Sequence, residues 1–132
     1  MSHTILITGA SSGIGRATAH LFAERGWNVV ATMRRPERDG QVFSGHERVL
    51  VTRLDLLDPE SIRAAVAEAE ERFGGLDALL NNAGYGAYGV LEVTPMEVIR
   101  RQFDVNLFGL IETIQAVLPG MRTRGSGVII NV

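Results

Sequence analysis

The 132-residue sequence predicts a doubly wound α/β fold, a three-layer αβα sandwich whose middle layer is a parallel sheet. Three observations predict it. Short β-branched runs alternate with longer amphipathic stretches along the whole chain. A glycine-rich turn joins the first such run to the first helical stretch. No internal repeat, low-complexity tract or linker interrupts the alternation. Strands separated by helices need crossover connections, and those make parallel sheets of right-handed sense.

Each element has its own signal. Thr4 to Thr8 (T-I-L-I-T) is a buried strand ending at a glycine. Gly13 to Arg25 is helical, with Ile14, Ala17, Leu21 and Phe22 forming one apolar stripe and Gly26 as a left-handed cap. Asn28 to Thr32 is the second strand. Arg34 to Arg48, with Pro36, Gly40 and Gly45, reads as a loop holding at most a short helix. Val49 to Leu54 is the third strand. Asp58 and Pro59 open a helix as N-cap and first-turn proline, and it runs to Phe73 before Gly74 and Gly75. Ala78 to Asn81 is the fourth strand, followed by a glycine-rich loop from Ala83 to Gly89. Thr94-Pro95-Met96-Glu97 has the pattern of a capping box, opening a long helix expected to reach about Leu118, before Pro119. Val128 to Val132 is the fifth strand.

Composition narrows the function. Thirteen basic and fifteen acidic residues give a net charge of −2, and the basic residues are scattered, which argues against nucleic acid as a partner. There is no cysteine, so disulfides and thiolate metal sites are excluded within this chain. His3, His20 and His46 lie far apart in sequence with no ligand spacing around them, and no metal is expected. The N-terminus runs directly into the first strand without a signal-peptide pattern, and no apolar run is long enough to span a membrane. A cytoplasmic protein without membrane partners is the expectation.

Thr8-Gly9-Ala10-Ser11-Ser12-Gly13-Ile14-Gly15 sits between the first strand and the first helix, the context of a dinucleotide-binding loop. Gly9, Gly13 and Gly15 let the backbone turn tightly and approach a pyrophosphate, and the helix start directs its free N–H groups at the phosphates. Ser11, Ser12 and Ile14 complete the loop, the two serines adding hydroxyl donors.

This T-G-x-x-x-G-x-G spacing resembles that of the short-chain dehydrogenase/reductase family. Three further motifs share the resemblance: Asp55 in Leu54-Asp55-Leu56, Asn81-Asn82-Ala83-Gly84, and Asp104-Val105-Asn106-Leu107. It covers the whole chain, and only the first half of a typical member. It implies a Rossmann-type NAD(P)-binding domain over residues 1–132, incomplete and cut off after the fifth strand, with strand order 3-2-1-4-5. It also implies hydride transfer between a nicotinamide cofactor and a carbonyl or alcohol substrate. By the same resemblance Asp55 and Leu56 contact adenine, while Asn82, Ala83 and Gly84 line the ribose and nicotinamide side. Asn106 is the catalytic asparagine that locally breaks its helix and holds a water of the proton relay. Structural roles stay open beside these: Asn81 and Asn82 as ties between strands, Asp55 as a loop cap, Asn106 as a surface amide.

At the end of the second strand an NAD enzyme carries an acid for the ribose 2′-hydroxyl. Met33 stands there, and Arg34 and Arg35 follow. Guanidinium groups match a 2′-phosphate in charge and donor geometry, so NADP is expected over NAD, although paired loop arginines are also often plain solvated charges. Tyr85 and Tyr88 are read as loop-packing residues that could also touch substrate.

The family's serine and its Tyr-x-x-x-Lys are absent, and the chain contains no lysine at all. The 132 residues are therefore expected to be inactive alone, as part of a longer reductase. The substrate expected is a small carbonyl or alcohol, hydrophobic by analogy of the Gly84 to Gly89 loop. The long helix and the last strand are expected to favour a homo-oligomer. The alternative is a non-catalytic NADP-binding sensor or scaffold, which the missing tyrosine and lysine would suit and Asn106 would not. An epimerase of related fold fits the glycine spacing poorly, and a methyltransferase would bind S-adenosylmethionine instead.

Overall fold

The computed structural model describes residues 2–132. Five strands form one parallel sheet in the order β3-β2-β1-β4-β5: β1 (Thr4–Ile7), β2 (Asn28–Met33), β3 (Val49–Arg53), β4 (Ala78–Asn81) and β5 (Val128–Asn131). All four pairings are parallel, and Leu6 aligns with Val30 on one side and Leu79 on the other. The helices are α1 (Gly13–Glu24), the short α2 (Pro36–Asp39), α3 (Pro59–Phe73), α4 (Met96–Phe103) and α5 (Gly109–Arg124).

Successive residues of a strand point to opposite faces, and β1 shows the consequence. Leu6 enters a core with Ile62, Ala65 and Ala69 of α3 and Val117 and Met121 of α5. Ile5 and Ile7 enter a second core with Ala19 of α1 and with Phe43. β1 is buried at every position, as an apolar run in a doubly covered parallel sheet should be.

The structure corrects three local expectations. The stripe Ile14, Ala17 and Leu21 on α1 faces outward. The face that packs on the sheet is Gly15 and Ala19, with Phe22 and Ala23 half-buried. Small residues allow α1 to lie close to the strands, and that closeness outweighs the larger side chains nearby. As expected, Asp58 stands at the N-cap of α3 with Pro59 in the first turn, and it makes no side-chain cap hydrogen bond. Arg53 holds it at 2.9 Å and draws its pKa below the usual carboxylate range, with smaller help from the nearby Ser61 and Glu60 amides. The second correction concerns the capping box, which does not form: Pro95 is the N-cap of α4, and the Thr94 hydroxyl donates to the Val90 carbonyl. Finally, the last long helix does not stop before Pro119. α5 continues through it to Arg124, carried by Val117 and Met121 packed in the core on either side, and Gly125 ends it at φ +70°.

The expected loop of residues 34–48 contains α2 and a single turn of tighter helix at Gly40–Phe43, whose Phe43 is buried against the sheet. Among the described residues, no helix is long and apolar enough to cross a membrane.

This arrangement predicts opposite outcomes for two leucines. Leu79→Ala, in a fully buried position, should lower the unfolding free energy by about 2–5 kcal/mol in a denaturant titration. Leu21→Ala, on the outward face of α1, should change it by no more than about 0.5 kcal/mol. Equal losses would place Leu21 on the packed face after all.

Candidate functional site

The strand order reverses beside β1. The chain leaves β1 toward β2 and later returns on the opposite side as β4, so the loops after these two strands part at the carboxyl edge of the sheet. Their contact begins at Thr8. Its hydroxyl accepts hydrogen bonds from the backbone N–H groups of both Asn82 and Ala83, each at 3.0 Å. The Asn82 side-chain amide returns the contact, donating to the carbonyls of Thr8 (3.2 Å) and Gly9 (3.3 Å). Ala10 N–H donates to the Thr32 carbonyl and ties the same loop to β2.

Two glycines make this approach feasible. Gly9 has φ +67°, and a Cβ on it would lie 2.9 Å from Ala83 Cα. A Cβ on Gly15 would run into the Gly9 carbonyl oxygen and lie 2.6 Å from Asn82 Nδ2. Gly15 is thus a packing position behind the loop, and it does not line the cleft.

The cleft between the loops has a volume of about 770 Å³. Gly9, Ser11, Ser12, Gly13 and Ile14 form one wall. The start of α1 is open toward this space. Ser12 is its N-cap without a side-chain cap bond, and its first turn carries no acid. The leading N–H groups of such a helix have no intrahelical acceptor, and they favour an anion.

The loops after β2 and β3 form the adjoining wall, with Met33, Arg34, Leu54, Asp55, Leu56 and Leu57. Asp55 Oδ1 accepts from the Leu57 N–H at 2.9 Å, so Asp55 shapes its own turn, while its other oxygen lies 3.8 Å from Arg53. The Ser61 hydroxyl braces that turn from α3, accepting from Asp55 N–H and lying 2.7 Å from the Asp58 carbonyl. Arg35 lies outside the cleft, as the N-cap of α2. Asp39, close to this basic run, is engaged by a two-pronged contact from Arg38 at 3.0 and 3.1 Å. That contact, and to a lesser degree Arg35 and Arg34, hold its carboxyl below the usual range.

Asn82, Ala83, Gly84 and Tyr85 form the third wall, with Arg101 and Val105 above them. Asn81, by contrast, is buried in the sheet and ties β4 to β5 by donating to Asn131 Oδ1 at 3.0 Å. Asn106 does not line the cleft. It lies in a π-helical turn, Asp104–Phe108, that joins α4 to α5 without a break. Its side chain pairs with the backbone of one residue of the glycine-rich loop, Oδ1 accepting from Tyr85 N–H (3.0 Å) and Nδ2 donating to the Tyr85 carbonyl (2.7 Å). Tyr88 is fully exposed.

Leu54, Leu57, Arg101 and Val105 were not anticipated as cleft residues. Arg101 and Val105 carry a legible signal, four residues apart on one helix face and immediately before Asn106. Leu54 and Leu57 have none beyond flanking Asp55. The fold brings His20 within 5.5 Å of His46 between ring centres despite their separation in sequence. Among the described residues, no group of three or more histidines, cysteines or carboxylates stands close enough to hold a metal.

Comparison with known proteins agrees with this geometry. A family model described as short chain dehydrogenase matches residues 3–132. A 3-ketodihydrosphingosine reductase of Bacteroides thetaiotaomicron is 41% identical over 128 residues, covering 97% of this chain and 45% of that protein. Among solved structures, a short-chain dehydrogenase from Streptomyces avermitilis superimposes with a TM-score of 0.91 at 37% identity, over 98% of this chain and 48% of that one. ElxO with NADP bound superimposes with a TM-score of 0.89 at 29% identity, over 99% of this chain and 55% of that one. The chain thus spans about half the length of the relatives it matches. With the sheet order, the glycine-built junction and the family match in agreement, the chain belongs to the short-chain dehydrogenase family.

Proposed function

We propose that this chain is the NADP-binding domain, residues 1–132, of an oxidoreductase that moves a hydride between NADP(H) and a carbonyl or alcohol substrate. The observation that carries the proposal is the cleft at the strand reversal, with an uncapped helix start at one end and Arg34 at the other. The residues present fit a dinucleotide. Gly9 and Gly15 let the two loops close tightly behind the cleft, and the first turn of α1 offers free donors for a pyrophosphate. Leu54, Leu56 and Val105 give an apolar slot for the adenine, with Asp55 at its edge. Asn82, Ala83 and Gly84 are assigned to the ribose and nicotinamide side.

Bound NADP(H) would supply the hydride carrier, and the protein's part is to position and orient it. Ser11 and Ser12 offer hydroxyl donors near the phosphates. Asn106 is assigned the family's place in the proton relay. Both polar atoms of its side chain are taken by the Tyr85 backbone. A water held there would therefore bind to backbone groups opened by the π turn. The serine, tyrosine and lysine of the family reaction are not among these residues, and the 132 residues alone are inferred to bind cofactor without turnover.

Preference for NADP over NAD rests on Met33 and Arg34 at the end of β2, where no carboxylate lines the cleft to accept from a ribose 2′-hydroxyl. Arg35, the N-cap of α2 and outside the cleft lining, is given a supporting electrostatic role only. The exposed Phe103, Leu107, Phe108 and Ile111 on α4, the π turn and α5 support a homo-oligomer. A cytoplasmic site of action and a hydrophobic substrate complete the reading, the latter by analogy of the glycine-rich loop.

Arg34→Ala should weaken NADPH binding roughly 10- to 100-fold, the loss expected for hydrogen bonds to a charged phosphate. NADH binding should be nearly unaffected. Titration calorimetry with both cofactors checks this, and equal losses would remove the assignment of the 2′-phosphate to Arg34.

A further inference from the structure

The loop after Ala83 contains three glycines in six residues, Gly84, Gly86 and Gly89, and no regular secondary structure. Such a segment has wide conformational freedom unless something outside it supplies hydrogen bonds. Within residues 84–89 two backbone N–H groups are held, those of Tyr85 and Ala87, and both are held by side chains of the facing helix. Asn106 takes the Tyr85 backbone, as described above. Gln102 takes the other: its Oε1 accepts from the Ala87 N–H at 3.0 Å.

The two clamps match in spacing. In an extended segment, alternate N–H groups point the same way and lie roughly 6.6 Å apart. Side chains four residues apart on a helix share a face and are separated by roughly 6 Å along the axis. Gln102 and Asn106 therefore act as a two-point docking edge for the Tyr85–Ala87 backbone, as a neighbouring strand would. Gln102 is half-buried and makes no other hydrogen bond among those of the described residues. Its acceptor is committed to this one amide.

We infer that Gln102 is a positioning residue for the mouth of the cleft. It pins Ala87 and thereby fixes the course of the loop that places Tyr85 in the cleft wall. Asn106 alone holds the loop at one residue, Tyr85, leaving the chain beyond Gly86 free to turn. With Gln102 added, the segment between Gly84 and Ala87 has one course. The consequence for ligand binding rests on the reading of the cleft as the NADP site. The pinning itself does not.

The test compares Gln102→Met, which keeps the shape and lacks the acceptor, with Gln102→Glu, which keeps an acceptor oxygen. Amide hydrogen exchange is followed together with NADPH affinity. In Gln102→Met the Ala87 and Tyr85 amides should exchange roughly tenfold faster, those of β1 and β4 should be unchanged, and NADPH should bind several-fold more weakly. Gln102→Glu should restore the exchange rates. Unchanged exchange at Ala87 in Gln102→Met would overturn the inference. So would faster exchange throughout the sheet without rescue by Gln102→Glu, since that pattern belongs to a purely structural position. If the unsubstituted protein does not bind NADPH, the cofactor reading fails, and the exchange data still decide the part played by Gln102.

Discussion

The site depends on how closely two turns approach each other at the strand reversal. If they stood apart, the loop after β4 would leave the Asn82 and Ala83 N–H groups unpaired, and the loop after β1 would lose the partner of its Thr8 and Gly9 carbonyls. They meet because Thr8 offers one hydroxyl oxygen to both of those N–H groups. They can meet because Gly9 and Gly15 have no Cβ to keep them apart. Burying an N–H without a partner costs about 1–3 kcal/mol, so the Thr8 hydroxyl holds a junction that few other side chains could hold. From this junction follow the tight turn into α1, the close packing of α1 on the sheet through Gly15 and Ala19, and the opening of the cleft on the outer side.

The electrostatics build on the same geometry. α1 begins beside the junction with its first donors unoccupied and no acid in its first turn. Acids around the cleft are already engaged: Asp39 with Arg38, Asp58 with Arg53, and Asp55 in its own turn. Arg34 is left facing the space with no ion pair among the described residues. A cleft lined in this way favours a ligand with negative charge near the start of α1 and near Arg34. The surface pairs themselves contribute little to stability, being exposed and screened. Their effect is to keep carboxylates from competing with the ligand.

Strand order, helix order and the glycine loop were legible in the sequence because each is dictated locally. β-branched runs, glycine breaks and the Asn82-Ala83-Gly84 segment need no knowledge of their neighbours. What was not legible depends on tertiary contacts. Ile14 and Leu21 look like the packing stripe of α1 until the sheet selects the smaller face of Gly15 and Ala19. Thr94 and Glu97 have capping-box spacing, yet the hydroxyl is drawn to Val90. Pro119 reads as a stop, and core packing on both sides carries the helix past it. Of the residues expected to bind cofactor, most line the cleft, while Gly15 supports it from behind and Arg35 turns away. Asn106 was expected to disturb its helix, and it lies in a π turn with its side chain on Tyr85. Gln102 carries no sequence signal, because its partner is a backbone amide in a loop of irregular course.

The Thr8 hydroxyl holds the two turns together, and the proposed cofactor cleft opens beside that junction. The most direct measurement is NADPH affinity in Thr8→Val and Thr8→Ser, alongside the thermal midpoint of each. Thr8→Val keeps the shape and leaves the Asn82 and Ala83 N–H groups without their acceptor, so it should lose stability and bind NADPH at least roughly tenfold more weakly. Thr8→Ser keeps the acceptor and should stay close to the unsubstituted protein in both. A Thr8→Val protein that binds NADPH as tightly as the unsubstituted one would contradict the account.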